Sequence, residues 1–361
     1  MDFSGLLETY GENNTIAALG LLVGCLFGAF AQRSRFCLRS AVIEFWRRRC
    51  GEKIAIWLFA FSAAVILTQF FIFSGWLDVS QARQLAARGS ISGAVIGGLL
   101  FGIGMVLARG CASRMLVLAA NGNLRALLAG LVFAVAAQSS LNGLLSPLRQ
   151  AISGLWTIEG GSARDLLASF HLDHTGGMVF GGIWLLAALH FARRAGVPIS
   201  SRLAGLGVGV AVAAAWLITY AVAASAFDVV VPVKSLSFTG PSADMLMLVL
   251  SPPGRVPDFD IGLVPGVVLG SFLAALLARE LKVEGFKDGL SMRRYIFGAI
   301  FMGFGGMLAG GCAVGAGVSG AAVFALTAWI TLATMWLGAG LTDWWLDREA
   351  ETRPLDAAEQ P

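Results

Sequence analysis

The residues in this chain best suited to chemistry are three cysteines that follow a glycine at one fixed spacing. Gly28 and Cys37, Gly102 and Cys111, and Gly303 and Cys312 stand nine positions apart, each pair inside an apolar, glycine-dense stretch. Two of the stretches match much further. Leu100–Ala112 laid on Phe301–Ala313 keeps Gly102/Gly303, Gly104/Gly305, Leu107/Leu308, Ala108/Ala309, Gly110/Gly311, Cys111/Cys312 and Ala112/Ala313. A thiol is polarizable, donates weakly through S–H, and as a thiolate attacks electrophiles. Repeated at equivalent points, such groups suit contact with a passing solute.

Cysteine is also a common small hydrophobe of protein interiors. Cys25, within an apolar run, and Cys50, beside an arginine run, read that way. Cys111 and Cys312 differ because each lies in a Gly-Cys-Ala context, and Cys37 follows Arg-Phe. Arg109-Gly110 and Gly310-Gly311 before these cysteines read as helix breaks. Irregular backbone at membrane depth is tolerable only beside protein or a cavity. A helix restarting there aims free N–H groups and a positive dipole end at that cavity, which suits an anion. Arg33, Arg35, Arg39, Arg109 and Arg114 would enrich anions nearby, with Arg35 and Arg109 the best candidates as neighbours of the cysteine motifs.

The elements that must position these residues are membrane helices. The 361 residues are 57% hydrophobic and 13% charged, with mean hydropathy +0.76. Soluble domains carry about 25% charged residues, so the chain reads as an all-α polytopic membrane protein. Apolar stretches of spanning length fall near 15–33, 53–76, 92–121, 125–145, 176–193, 202–224, 262–279, 294–321 and 322–344, about nine in all. The third and eighth are interrupted. Segment 34–46 reads as a re-entrant half-helix and 243–251 as re-entrant or interfacial. The basic clusters Arg47–Arg49 with Lys53, Arg193-Arg194 with Arg202, and Arg279 to Arg294 fit the cytoplasmic side. On that orientation the helices ending at Cys111 and Cys312 run in opposite senses. Inverted repeats place a solute site near the midplane, at discontinuous helices. The expected organisation is one transport domain over 1–345, with repeats at about 15–145 and 202–344, an extra helix at 176–193, and a disordered cytoplasmic tail at 346–361. Connectors 77–91, 146–175 and 225–261 are expected outside, narrowing the entrance.

Several functions are disfavoured. No Gly-x4-Gly-Lys-Ser/Thr loop suggests ATP drive, and no Cys-x2-Cys suggests a metal knuckle or a dithiol oxidoreductase motif. His171 and His174 read as a loop pair, so no metal and no cofactor is expected. The net charge of +4 comes from loop arginines, without the aromatic interleaving of a nucleic-acid surface. The acidic N-terminus lacks the basic region of a cleaved signal peptide. Glu44 is the nearest candidate for an intramembrane coupling carboxylate.

Gln32-Arg-Ser-Arg-Phe-Cys37, Arg109-Gly-Cys-Ala-Ser113 and Gly310-Gly-Cys-Ala-Val-Gly315 together resemble the YeeE/YedE family of sulfur transporters, over about residues 15–344. The resemblance implies a bacterial inner-membrane protein that imports thiosulfate. It implies an hourglass of helices with re-entrant halves, and a narrow path lined by Cys37, Cys111 and Cys312. Arg35, Arg109, Gly110, Gly310 and Gly311 would support that path. It also implies a small cytoplasmic sulfur carrier of the TusA type as partner. The rival readings are a membrane-embedded sulfurtransferase or thiol oxidoreductase forming a cysteine persulfide, and a carrier of a selenium compound. Transport rather than catalysis is the expectation.

Overall fold

The computed structural model describes residues 4–226, 229–252, 254, 256–285 and 289–346. The chain is helical almost throughout. In order it forms α1 (Ser4–Tyr10), α2 (Glu12–Ser34), α3 (Leu38–Trp46), α4 (Glu52–Phe73), α5 (Arg83–Ala86), α6 (Ile91–Leu107), α7 (Ala112–Ala120) and α8 (Leu124–Asn142). Then follow α9 (Ser146–Gly154), α10 (Leu166–Ser169), α11 (His174–Arg194), α12 (Ile199–Ser225), α13 (Thr239–Leu250), α14 (Phe259–Leu277), α15 (Gly289–Ala309) and α16 (Leu326–Leu346). Strands β1 (Gly89–Ser90) and β2 (Thr157–Ile158) form a short antiparallel pair across the α6–α9 stretch.

Among the described residues, seven helical segments are long and apolar enough to cross a membrane. They are Glu12–Trp46, Glu52–Phe73, Ile91–Ala120, Leu124–Asn142, His174–Arg194, Ile199–Ser225 and Phe259–Leu277. The first and third contain the α2/α3 and α6/α7 breaks. Helices α15 and α16, of 21 residues each, pack among them: α15 against α6 and α8, α16 against α6. The expected segment 294–321 stops earlier, at Ala309, and α16 starts at Leu326. Helix α13 has 12 residues, too few to span. Residues 347–361, where the tail was expected, lie outside the described residues.

Glycine sets the helix spacing. On α2, Gly20, Gly24 and Gly28 fall four apart and meet the carbonyls of Phe259, Leu263 and Val267. On α14, Gly262, Gly266 and Gly270 return the contact to the carbonyls of Ala17, Leu21 and Cys25. Small residues four apart let two backbones touch, which is how membrane helices associate without a hydrophobic drive between them. The same device joins α6 to α15 through Gly97, Gly104, Gly298 and Gly305. Helix α2 packs on α14 and α12, α4 on α12 and α11, α3 on α4, α13 on α14, and α7 on α8.

The two ends of the bundle differ. At one end lie the basic clusters, where Arg47 donates twice to the buried Asp343 carboxylate, at 2.9 Å each. Glu44 lies here too, and its Oε2 accepts from the N–H groups of Gly51, Lys53 and Ile54 at 3.2, 3.0 and 3.0 Å. That satisfies the orphan donors at the start of α4. Its role is a helix cap rather than a free coupling carboxylate. The expected outer connectors gather at the opposite end, where they carry α5, α9 and α10 and cover the turn after α15. Arg164 is buried there, donating to the carbonyls of Arg83 and Ala87 and to Thr327 Oγ1. Burial, and then the nearby Arg83 charge, pull its pKa below the usual guanidinium range. His174 contacts Gln69 Oε1 at 2.9 Å, joining α11 to α4.

Candidate functional site

All three cysteine stretches end their helix in the same way. Arg35, Arg109 and Gly310 adopt left-handed backbone, with φ of 53°, 56° and 80°. Their N–H groups bond to Gln32, Val106 and Met307 carbonyls at 3.2, 3.2 and 3.4 Å. The next N–H groups, of Phe36, Gly110 and Gly311, reach back to Ala31, Met105 and Gly306 at 3.2, 3.0 and 2.9 Å. This paired closure is the Schellman motif. The left-handed residue is normally glycine, because other residues pay about 1–2 kcal/mol there. Arginine fills it twice here.

The cysteine comes two residues after the left-handed turn and opens the next helical piece. Cys37 is the N-cap of α3 and Cys111 the N-cap of α7. Their carbonyls accept from Ala41 and Met115 at 3.3 and 3.0 Å. The Cys312 carbonyl accepts from Ala316 at 2.8 Å, leading into a single wide turn, Gly315–Gly320, that is buried throughout. All three cysteines are free and buried.

The thiols have different surroundings. Cys37 and Cys111 interact through their side chains. Cys111 Sγ also lies 3.4 Å from Ser113 Oγ. The Arg114 guanidinium is the principal cation near this pair, with Arg39 also close to Cys37. Cys312 Sγ accepts instead from the backbone N–H groups of Phe238 and Gly315, at 3.3 and 3.4 Å. Residues 235–238, the extended approach to α13, are pinned over it. Ser319 Oγ donates to Leu236 O at 2.7 Å and Ser235 Oγ to Val212 O at 2.7 Å. Three rings run between the two levels. Phe238 and Phe27 have centroids 5.1 Å apart, and Phe27 and Phe36 6.5 Å. All three are essentially inaccessible to solvent, so the centre is closed.

Below the cysteine pair, at the basic end, opens a polar cavity of about 410 Å³. Its lining includes Gln32, Arg35, Arg114, Asn121, Glu280 and Lys282. Gln32 Nε2 donates to Glu280 at 2.9 Å and its oxygen accepts from Asn121 at 2.7 Å. Arg35 pairs loosely with Glu280 at 3.7 Å.

Two expectations need correction. Arg109 is exposed, with its backbone in the left-handed closure of α6. Arg114, in the first turn of α7, lies beside the buried thiols instead. Glu44 is absorbed in the α4 cap. Gly110, Gly310 and Gly311 belong to the helix closures, and Gly311 is packed so closely that a Cβ would sit 2.9 Å from Ala316 N. Sequence reasoning missed the half-buried Lys234–Asp260 pair, 2.6 Å long, which anchors the extended segment leading to Phe238. Its two halves lie 26 positions apart in a connector without a motif. The Phe238 N–H on Cys312 was also invisible, since any residue supplies a backbone donor.

Helices joined by close glycine contacts, with cysteines at internal breaks and a closed centre, define a polytopic α-helical membrane protein of transporter type. The sulphur-transport family model matches residues 33–341, and the chain belongs to that family, in agreement with the YeeE/YedE resemblance of the cysteine motifs. The thiosulfate transporter TsuA of Escherichia coli (strain K12) is 26% identical over 357 residues, covering 90% of this chain and 93% of the relative. TsuA of Spirochaeta thermophila is 25% identical over 359 residues, covering 91% and 98%.

Proposed function

We propose that this protein takes up thiosulfate, or a closely related sulfur oxyanion, across a bacterial inner membrane, along a path defined by Cys37, Cys111 and Cys312. The observation that carries the reading is the shared geometry of the three breaks, each offering a buried cysteine at the start of a helical piece. The relatives' names supply the solute. Thiosulfate is a dianion with a polarizable terminal sulfur. Neutral S–H groups are weak donors to it, and helix N-termini add partial positive charge. Weak successive sites allow entry without trapping.

The packing supports nine spans in two inverted repeats, about 15–145 and 202–344, with 176–193 extra. Exchange α2, α3, α4, α6, α7 and α8 for α12, α13, α14, α15, the Gly315–Gly320 turn and α16. The α2–α14 contact then becomes α12–α4, α6–α16 becomes α15–α8, and α3–α4 becomes α13–α14. The α2–α12 and α6–α15 contacts map onto themselves. On this reading the basic end is cytoplasmic, Cys37 and Cys111 are the inner level, and Cys312 is the outer level. The rings of Phe27, Phe36 and Phe238 must part for passage. A small TusA-like carrier in the cytoplasm is a suitable acceptor for the imported sulfur.

The test is uptake of labelled thiosulfate by a bacterial strain lacking its own routes. Wild type is compared with Cys37→Ala, Cys111→Ala and Cys312→Ala at equal membrane levels. Uptake by wild type and its loss in each variant is expected, and normal uptake by Cys111→Ala would sink the mechanism. The interaction of Cys37 and Cys111 beside Arg114 favours a second reading, in which one of them, as thiolate, attacks the outer sulfur of thiosulfate, cleaves its S–S bond and becomes a persulfide as sulfite leaves. Mass spectrometry after exposure to thiosulfate separates the two, since permeation leaves both thiols unmodified. Labelled selenium compounds in the same cells test the remaining solute.

A further inference from the structure

We infer that the cavity at the basic end is a binding site for a small divalent oxyanion of the sulfate and thiosulfate class, with Arg114 as its principal ligand. The choice of anion rests on the uptake reading above, whereas the site itself is read from the cavity. Arg114 lies in the first turn of α7 and is largely withdrawn from solvent, and its Nη1 is buried without a hydrogen-bond partner. A buried unsatisfied donor on a cation is costly, and because Arg114 also lines the polar cavity, a small turn of its guanidinium would bring that donor to a ligand held there. An anion completes the guanidinium with charge-assisted hydrogen bonds. Asn121 Oδ1 on the same wall is also buried and unpartnered.

The remaining charges make the site moderate rather than tight. Lys282 and Arg35 add positive charge, while Glu280 and Glu284 occupy part of the donors: Glu280 takes Gln32 and Arg35, and Glu284 takes Asn123 Nδ2 at 2.6 Å. Three cations thus face two carboxylates around one cavity. A volume near 410 Å³ holds on the order of a dozen waters at about 30 Å³ each. A tetrahedral dianion fits together with part of its hydration. An ion leaving the dry cysteine level would regain water here while still held by Arg114, and the carboxylates would keep the hold weak enough to release it.

The test is equilibrium dialysis of labelled sulfate and labelled thiosulfate against the purified full-length protein, with Arg114→Gln, Leu118→Glu and the exposed, opposite-end Arg88→Gln. Leu118 lines the cavity, so a carboxylate there opposes the anion without removing Arg114. Each variant is first checked for a monodisperse elution profile. One hydrogen bond to a charged group corresponds to roughly tenfold or more in affinity. Arg114→Gln and Leu118→Glu are therefore expected to weaken both ions about tenfold or more, and Arg88→Gln to change neither. Wild-type affinity in both cavity variants would overturn the assignment. Loss of affinity in them while wild type shows no thiosulfate uptake would preserve the site and remove the uptake reading. Active uptake with unchanged binding in both variants would do the reverse.

Discussion

Gly305 sits where α15 crosses α6, the contact that joins the helix leading to Cys312 to the helix leading to Cys111. A Cβ at Gly305 would lie 2.7 Å from Gly97 O, 2.8 Å from Phe101 N and 3.0 Å from Leu100 Cβ. The first two are backbone atoms and cannot rotate away. Carbon and carbonyl oxygen approach to about 3.3–3.6 Å even in favourable contacts, so α15 must retreat by roughly 0.6 Å or more to admit the methyl group. A gap of about 0.5–1 Å forfeits a quarter to a half of each van der Waals contact, and overpacking of this kind costs about 1–3 kcal/mol. Gly130→Ala on α8 is the control, because nothing lies within 4 Å of that Cβ and alanine is the better helix former by about 1 kcal/mol. Thermal unfolding of the purified proteins, at one scan rate because such transitions are kinetically governed, should show Gly305→Ala melting several degrees below wild type. Gly130→Ala should melt at or above it. Uptake per folded molecule should fall with Gly305→Ala, since its two cysteine levels separate. A Gly305→Ala protein that melts with wild type, or an equal loss in Gly130→Ala, would refute the close-packing argument.

Glu44→Ala removes the acceptor of three N–H groups at the start of α4 and should cost about 1–2 kcal/mol of stability, read as a lower melting temperature. Uptake per folded molecule should persist, and its abolition would restore Glu44 as a coupling group. Cys37→Ala and Cys111→Ala each delete one small buried sulfur and its interaction with the other thiol, and should melt only modestly below wild type. Their uptake should nevertheless be lost.

The sequence carried the positions of the breaks well, because glycine, cysteine and small residues recur at fixed offsets and membrane helices announce themselves by length and hydropathy. The cysteines opening α3 and α7, the short α13, and the clustering of arginines at one end follow from those signals. Side-chain direction at the breaks did not. Arg109 and Arg114 flank Cys111 nearly symmetrically in sequence, yet the Arg109 side chain is exposed, whereas Arg114, in the first turn of α7, lies beside the thiols. Glu44 looked like an isolated intramembrane carboxylate because its partners, at positions 51, 53 and 54, are backbone groups with no sequence signature. The cavity escaped for a similar reason. Gln32, Arg114 with Asn121, and Glu280 come from three separate parts of the chain, and only the α2–α14 glycine contact and the turn after α7 bring them together.

Cys312 offers the sharpest separation of structural from functional thiols. Its sulfur accepts from Phe238 N–H and Gly315 N–H at 3.3 and 3.4 Å, both in a fully buried setting. With its lone pairs engaged, the thiol has its S–H left to offer, and accepting hydrogen bonds strengthens a group as a donor. Cys312→Ala therefore removes two things together. It leaves two buried N–H groups without their acceptor, at about 1–3 kcal/mol each, and it deletes the donor proposed to meet the solute. Cys312→Ser restores an acceptor to both N–H groups and keeps a donor, but exchanges the polarizable sulfur for a smaller oxygen on a shorter bond. Melting temperature should accordingly drop for Cys312→Ala and largely recover for Cys312→Ser, while thiosulfate uptake stays low in both. If Cys312→Ser recovered uptake along with stability, the sulfur atom would be incidental and the residue would serve only to hold the Phe238 segment in place.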